Sequence, residues 1–187
     1  MFKLQIKYLS FFFGIVSILS FFNILYSYYF NLYLNLDTYY FTLIASSILF
    51  ITFFKFGKYN IKSNIFQRIL TIFLGYLLIP LVLSIPFYFS IYNLTFSNSF
   101  FEAISGFTST GFTVFENIKL IDQSLIIWRS STQWIGGLYF LFSIIYLIDI
   151  YDDSFKKTLT NFISFNSSEI LKQAAKILIL YSSLTIL

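Results

Sequence analysis

The sequence predicts an all-α polytopic membrane protein, and three observations support this fold class. Of the 187 residues, 58% are hydrophobic and only 11% are charged, whereas soluble domains carry about 25% charged residues. The apolar residues fall into runs close to the ~20 residues that a helix needs to cross the hydrocarbon core. These runs are predicted to be helical because an isolated strand would leave backbone groups unpaired in lipid.

Four apolar spans and a shorter fifth run can be marked along the chain. The spans cover about Tyr8 to Phe30, Thr38 to Phe54, Ile69 to Ile91 and Leu125 to Ile148. The first resembles a signal peptide, but its apolar run is long and lacks a small-residue cleavage site. An uncleaved anchor helix is therefore predicted. The fifth run begins at about Ala174 and has fourteen residues up to Leu187, too few to cross a membrane.

The basic residues predict the orientation of these spans. Ten of the twelve Lys and Arg residues lie before the first span, between the second and third, or after the fourth. Only Lys119 and Arg129 would lie on the opposite side. Because cytoplasmic loops carry an excess of basic residues, a cytoplasmic N-terminus is predicted.

The composition excludes several kinds of chemistry. The chain contains no cysteine and no histidine, which excludes disulfides, thiolate chemistry and imidazole catalysis. No nucleic-acid partner is predicted, since the net charge of +4 comes without a clustered basic face. Asp149, Asp152 and Asp153 could suggest a metal cluster, but beside Lys156 and Lys157 they favour a solvated cytoplasmic loop. No cofactor is predicted for this chain.

The connection from about Tyr92 to Ser124 contains the polar stretch FEAISGFTSTGFT. Its first part predicts a short helix, because Ser99 and Glu102 have the spacing of a capping box; Gly106 and Gly111 are expected to end it. An apolar half-helix cannot span the membrane, so the chain would turn back inside it. Non-helical backbone is tolerated there only within protein or beside water. The predicted order is helix, re-entrant half-helix, extended segment and helix.

Extended backbone after the half-helix would present carbonyl oxygens to a water-filled axis. Such oxygens can replace the hydration shell of potassium, and the hydroxyls of Thr108, Ser109 and Thr110 could add ligands. Gly111 permits a backbone conformation that other residues resist. The C-terminal end of the half-helix near Gly106 carries partial negative charge that favours a cation. Ordinary loops also contain Ser, Thr and Gly, so this string alone does not decide between a filter and a loop.

A second motif supports the filter. The stretch FEAISGFTSTGFT, followed by WRSSTQWIGG from Trp128 to Gly137, closely resembles the Trk/Ktr/HKT potassium-transporter superfamily, and most of all its bacterial TrkH-type branch. The first pore repeat of that family has a pore helix with F-E-x-x-S-G, a T-T-T-G-type filter, and a second helix that begins W-R-s-x-t-Q-W-x-G-G. Ile85-Pro86 also resembles the L-P at the end of the first pore-repeat helix. Two extra N-terminal helices in TrkH-type members correspond to the first two spans.

The resemblance implies a pore-forming subunit for potassium uptake across the bacterial inner membrane, with potassium as transported substrate and no enzymatic activity. It implies that the backbone carbonyls of five residues face the ion: Thr108, Ser109, Thr110, Gly111 and Phe112. Ser109 replaces a usual threonine, and Phe112 stands where a smaller residue is common. Supporting residues are expected at Glu102, Gly106, Arg129, Gly136 and Gly137.

The supporting residues also have structural interpretations. Arg129 could act on the field in the pore, or it could pair with Asp122 or Glu102 in a structural role, which the sequence favours. Gly136 and Gly137 are expected to permit close helix packing rather than ion contact.

The resemblance also divides the chain. Residues 1–68 are predicted to form an N-terminal transmembrane helix pair, and residues 69–150 the first pore repeat. Residues 151–173 would be a cytoplasmic linker, and residues 174–187 the start of a second, truncated repeat. Because the family repeats its unit four times, the chain is predicted to be the N-terminal part of a longer transporter. Beside the lipid bilayer, the resemblance implies a homodimer and a cytoplasmic nucleotide-binding regulatory subunit as partners.

Two other function classes remain open from the sequence. A pore-less membrane assembly subunit would have the same hydropathy pattern, but it gives no reason for the polar stretch. A membrane enzyme that acts on a lipid-linked substrate would need an acid–base pair, for which Glu102, Glu116 and Asp122 are the candidates.

Overall fold

The chain folds as a helical bundle in a computed structural model, which describes residues 7–57, 65–148 and 170–186. No β-strand occurs in these three ranges, which confirms the predicted all-α class. In chain order, the helices are α1 (Lys7–Tyr29), α2 (Leu36–Phe56), α3 (Ile65–Leu83), α4 (Ile85–Tyr88), α5 (Phe96–Phe107), α6 (Gln123–Ile148) and α7 (Ile170–Ile186), with a 3₁₀ turn at Ile118–Leu120.

Three helical segments are long and apolar enough to cross a membrane. They are α1, α2 and the segment Phe66–Tyr88, which comprises most of α3 together with α4. They correspond to the first three predicted spans, and the protein is therefore a multi-pass membrane protein. The fourth predicted span forms α6, which is not among these three segments, so its crossing stays a prediction. The fifth apolar run forms α7, which begins at Ile170 rather than at the predicted Ala174.

The third predicted span is irregular at Ser84, between the end of α3 at Leu83 and the start of α4 at Ile85, although hydrogen bonds from Ser84 to Pro80 and from Tyr88 to Ser84 continue across it. Pro86 lies at the start of α4, and a proline lacks the N–H group that would continue the hydrogen bonds of the preceding helix. The indole Nε1–H of Trp128 on α6 donates to the carbonyl of Leu83 at 3.0 Å, and the Trp128 side chain is fully buried. A buried donor from α6 therefore binds the backbone where the helix is interrupted.

An aromatic core holds the helices together behind the predicted pore segment. The ring of Phe12 on α1 meets the rings of Tyr139 and Phe142 on α6 edge-on, with centroids 4.7 and 5.3 Å apart. Edge-to-face contacts of this kind stabilise a pair by about 0.5–1.5 kcal/mol beyond the burial of area. The same Tyr139 also contacts Tyr76 and Phe107. This core therefore extends from the N-terminal helix to the last residue of α5.

Asn35 joins the N-terminal helix pair to both ends of the segment that contains α5. It immediately precedes α2, a position where asparagine usually caps the helix with its side chain, but it makes no such cap. Instead, its Oδ1 accepts a hydrogen bond from the N–H of Ile91 at 3.1 Å, and its Nδ2 donates to Asp122 Oδ2 at 3.1 Å. Asn35 is buried, and the segment from 92 to 121 begins and ends beside it.

Some predictions fall on residues about which the structure gives no information. Asp149, Asp152 and Asp153 lie outside the described ranges, as does most of the predicted linker 151–173. The domain boundaries at residues 68, 150 and 173 stay predictions.

Candidate functional site

The helix that precedes the polar loop begins earlier than the capping-box prediction placed it. The N-cap of α5 is Thr95, whose Oγ1 accepts a hydrogen bond from the N–H of Asn98 at 3.3 Å. Ser99 lies one turn into the helix, where its hydroxyl donates to the carbonyl of Thr95 at 2.9 Å. Glu102 lies near the middle of α5 and does not reach back to the N-terminus. The capping-box prediction is therefore wrong, because the carboxylate of Glu102 has stronger donors elsewhere.

Glu102 is fully buried and binds the far end of the polar loop. Its carboxylate pairs with Arg129 Nε of α6 at 2.5 Å, and it accepts hydrogen bonds from Thr113 Oγ1 and from the N–H of Val114 at 3.0 Å. The Nη2 of Arg129 donates to the carbonyl of Gly111 at 3.2 Å. The predicted pairing of Arg129 with Glu102 is present, and Asp122 binds Asn35 instead. One ion pair thus attaches the loop to two helices.

The end of α5 is a tight C-cap rather than the start of an extended segment. Ser109 has a φ of 56°, and its N–H donates to the carbonyl of Gly106, while the N–H of Thr110 donates to the carbonyl of Ser105. This pair of bonds around a left-handed residue is the Schellman motif, in which glycine is the usual central residue. The prediction of extended backbone from Thr108 is wrong. Gly106 does not end the helix either, since α5 continues to Phe107.

Glycines allow α5 and α6 to approach each other closely. A Cβ atom on Gly106 would lie 2.2 Å from Thr132 Oγ1, and one on Gly136 would lie 1.8 Å from the carbonyl oxygen of Phe107. A Cβ on Gly137 would lie 2.2 Å from the hydroxyl of Tyr181 on α7. Real Cβ atoms essentially never come closer than 3.0 Å to such atoms. The close packing predicted at Gly136 and Gly137 is therefore confirmed.

The loop that follows α5 combines exposed residues with bonds to α5 and α6. Residues 108–112 are exposed, and Gly111 has a φ of +79°, a conformation that favours glycine. The carbonyls of Gly111 and Phe112 accept hydrogen bonds from Arg129. Within the described ranges, the carbonyls of Thr108, Ser109 and Thr110 accept none. The loop is thus held by α5 and α6, and three of its exposed residues have carbonyl oxygens that accept no hydrogen bond from the described residues.

Comparison with known proteins identifies relatives of this chain. It is 35% identical to an uncharacterized cation transporter of Methanocaldococcus jannaschii over 65 residues. The aligned part covers 35% of this chain and 14% of the relative. The chain is 33% identical over 82 residues to the Trk system potassium uptake protein TrkH of Escherichia coli, over 43% of this chain and 17% of the relative. The chain is related to the Trk potassium uptake proteins. A second Trk protein of E. coli, TrkG, is 30% identical over 100 residues, or 49% of this chain and 21% of the relative.

The similarity to these Trk proteins is limited in length. The aligned part covers less than a quarter of each of the three relatives. No family model matches the chain, and no solved structure matches it significantly. The relationship to Trk proteins confirms the predicted resemblance.

The Trk motif did not indicate the roles of two polar residues that bind the loop. Ser105 binds Thr110 and Phe112. Thr113 donates to Glu102 and accepts a hydrogen bond from the N–H of Phe115 at 3.2 Å. A small hydroxyl residue inside an apolar helix gives no periodic signal. The sequence signal for the cap is usually a glycine at the left-handed position, and Ser109 stands there instead.

Proposed function

We propose that residues 108–112 contribute one wall of a potassium-selective filter, and that the chain is a pore-forming part of a Trk-type potassium uptake system. The observation that carries this proposal is the exposed loop at the end of α5, with the unpaired carbonyl oxygens of Thr108, Ser109 and Thr110. Unpaired carbonyls cost several kcal/mol in lipid. A loop of this kind is stable in a membrane protein where water or a cation binds the unpaired carbonyl oxygens.

The position of the loop favours a cation. The loop follows the C-terminal end of α5, where the helix dipole places partial negative charge. The only nearby full positive charge among the described loop contacts is Arg129, and the buried carboxylate of Glu102 compensates it. Carbonyl oxygens are neutral and hard ligands, which suit potassium more than a divalent ion. The described ranges also contain no group of three or more Asp and Glu residues that could hold a metal ion.

A complete filter needs four such loops around one axis. In this proposal the other three loops come from further segments or from other copies, and they cover the exposed side of residues 108–112. The cytoplasmic N-terminus, the bacterial inner membrane, the homodimer and the cytoplasmic nucleotide-binding subunit belong to the same proposal. They derive from the charge pattern and from the relationship to Trk proteins.

Ion transport is a better proposal than an enzymatic activity. The relatives are named as transporters. Glu102 and Asp122, two of the three candidate carboxylates, bind separate partners: Glu102 binds Arg129 and the loop, and Asp122 binds Asn35 and Ser124. This arrangement does not form the acid–base pair that the enzyme hypothesis needs.

Potassium-limited growth of a host that lacks its own uptake systems tests the proposal. The full-length gene should restore growth, and a Gly111→Ala variant should restore it poorly. A Cβ at Gly111 meets nothing within 4 Å, so the space is open and the defect would come from the backbone alone. A left-handed conformation costs an alanine about 1–2 kcal/mol, enough to shift the loop away from the conformation proposed to bind potassium.

Ser130→Ala is the matched control. Ser130 is exposed on α6, and its hydroxyl donates only to the carbonyl of Ile126 in the same helix. Growth should be unchanged in this variant. If the full-length wild type is present in the membrane and gives no potassium uptake, the pore-less assembly subunit becomes the better explanation. Undiminished growth with Gly111→Ala would remove the role assigned to Gly111.

A further inference from the structure

We propose that Ser105 is a positioning residue that sets the spacing between the backbone at Thr110 and the carbonyl of Phe112. This inference rests on the proposed function of residues 108–112 as a potassium filter. Ser105 lies in the last turn of α5 and is buried, with 3% of its surface exposed. It does not face the proposed ion path, so it would act on the ion only through the loop.

The backbone of Ser105 holds the first half of the loop. Its carbonyl oxygen accepts from the N–H of Thr110 at 3.0 Å and from Thr110 Oγ1 at 3.1 Å. The N–H of Gly111 also points to this oxygen, at 3.5 Å. A carbonyl has two lone pairs, so the two bonds from Thr110 satisfy it and the contact with Gly111 is weak. Both donor groups of Thr110 are thereby directed towards α5, and its own carbonyl is left free.

The side chain of Ser105 holds the second half of the loop. Its hydroxyl donates to the carbonyl of Phe112 at 2.6 Å and lies 3.1 Å from Thr110 Oγ1. A serine hydroxyl has a single proton to donate, and the shorter contact assigns it to Phe112. The Thr110 hydroxyl donates its own proton to the carbonyl of Ser105. Ser105 therefore binds the residues on both sides of Gly111, which has no Cβ to restrain its own backbone.

An apolar side chain at position 105 could fill the same space but could not donate a hydrogen bond to the carbonyl of Phe112. Alanine would keep the backbone bonds to Thr110 but lose the bond to Phe112. The Phe112 carbonyl would then keep only the contact with Arg129 Nη2 at 3.4 Å, which is longer than an ordinary hydrogen bond. The path of the backbone between Thr110 and Phe112 would no longer be fixed. We therefore expect a weaker affinity for potassium rather than a smaller number of folded molecules.

The test measures potassium uptake by the full-length protein as a function of potassium concentration, with each rate normalised to protein in the membrane. Ser105→Ala should raise KM for potassium about fivefold, the factor that corresponds to one lost hydrogen bond of about 1 kcal/mol, with the maximal rate within twofold of wild type. Ser99→Ala is the matched control, since Ser99 is a fully buried serine on the same helix whose hydroxyl binds only a helix carbonyl. Its KM should equal that of wild type.

A second variant covers the case in which Ser105→Ala does not fold. Ser105→Cys keeps the shape of the side chain and replaces the hydroxyl with a weak S–H donor, so the same rise in KM is expected. A wild-type KM in whichever variant folds, or an equal rise in Ser99→Ala, would overturn the positioning role. If wild type itself transports no potassium, the proposed function fails and this inference fails with it, a result distinct from normal transport with an unchanged KM.

Discussion

Replacement of Gly136 by alanine tests the closest approach between α5 and α6. In the structure, a Cβ at Gly136 would lie 1.8 Å from the carbonyl oxygen of Phe107, 2.5 Å from its carbonyl carbon and 2.7 Å from its Cα. Since real Cβ contacts below 3.0 Å essentially do not occur, the oxygen must move away by at least 3.0 − 1.8 = 1.2 Å. All three atoms belong to the backbone, so no side-chain rotation can relieve the contact.

The expected cost is a loss of stability of about 1–3 kcal/mol from overpacking, reduced by up to about 1 kcal/mol because alanine is a better helix former than glycine. Phe107 is the last residue of α5, so its displacement moves the attached loop as well. We expect a lower midpoint of thermal unfolding in detergent, together with lower potassium uptake per molecule in the membrane.

Gly14→Ala on α1 is the control for this experiment. The nearest atoms to a Cβ at Gly14 belong to the side chain of Phe50, at 3.3 Å, and an aromatic ring can rotate away. This variant should unfold at the same temperature as wild type or slightly higher. A Gly136→Ala protein with wild-type stability and wild-type uptake would refute the close packing of α6 against the end of α5.

Three further tests concern the ion pair and the two ends of α5. Glu102→Gln should lower the free energy of unfolding by about 3–5 kcal/mol, because it leaves the guanidinium of Arg129 without a counter-charge. The double variant with Arg129→Gln should lose less stability than the sum of the two single variants. Additive losses of stability in thermal unfolding would contradict the pairing. Ser109→Gly should raise the unfolding midpoint by an amount equivalent to about 1 kcal/mol, because glycine adopts the left-handed conformation without strain; an unchanged or lower midpoint would argue against that conformation. Thr95→Ala should cost about 1 kcal/mol through loss of the N-cap and should cost more than Ser99→Ala, and the reverse order would restore the capping-box interpretation.

Hydropathy predicted the large elements because it reports directly on burial in lipid. The ends of α1 and α2 lie close to the predicted Tyr8, Phe30, Thr38 and Phe54. The sequence does not predict the irregularity between α3 and α4, although Pro86 lies at the start of α4. A proline within an apolar run is tolerated in membrane helices, and the sequence does not show that Trp128 is placed to bind the interrupted backbone.

The loop was predicted less well, because its conformation depends on contacts between residues far apart in the chain. The Ser99–Glu102 spacing imitates a local cap, but Glu102 binds Arg129, which follows it by 27 residues. Ser109 lacks the conformational freedom of glycine, so nothing in its identity indicates a left-handed residue. The short motif located the loop, and the tertiary contacts of Ser105 and Glu102 determine its shape.

The hydrogen bonds of Asn35 connect the N-terminal helix pair to the segment that contains α5, in addition to any role of the pair in anchoring the chain in the membrane. The side-chain amide of Asn35, just before α2, binds Ile91 and Asp122, the two residues that enclose the segment with α5 and its loop. Both ends of that segment are therefore bound to one residue of the N-terminal helix pair. Insertions or deletions at the exposed turn around Glu116 and Asn117 would therefore cost little loop-closure entropy. Such a change would leave the hydrogen bonds of Asn35 to Ile91 and Asp122 in place.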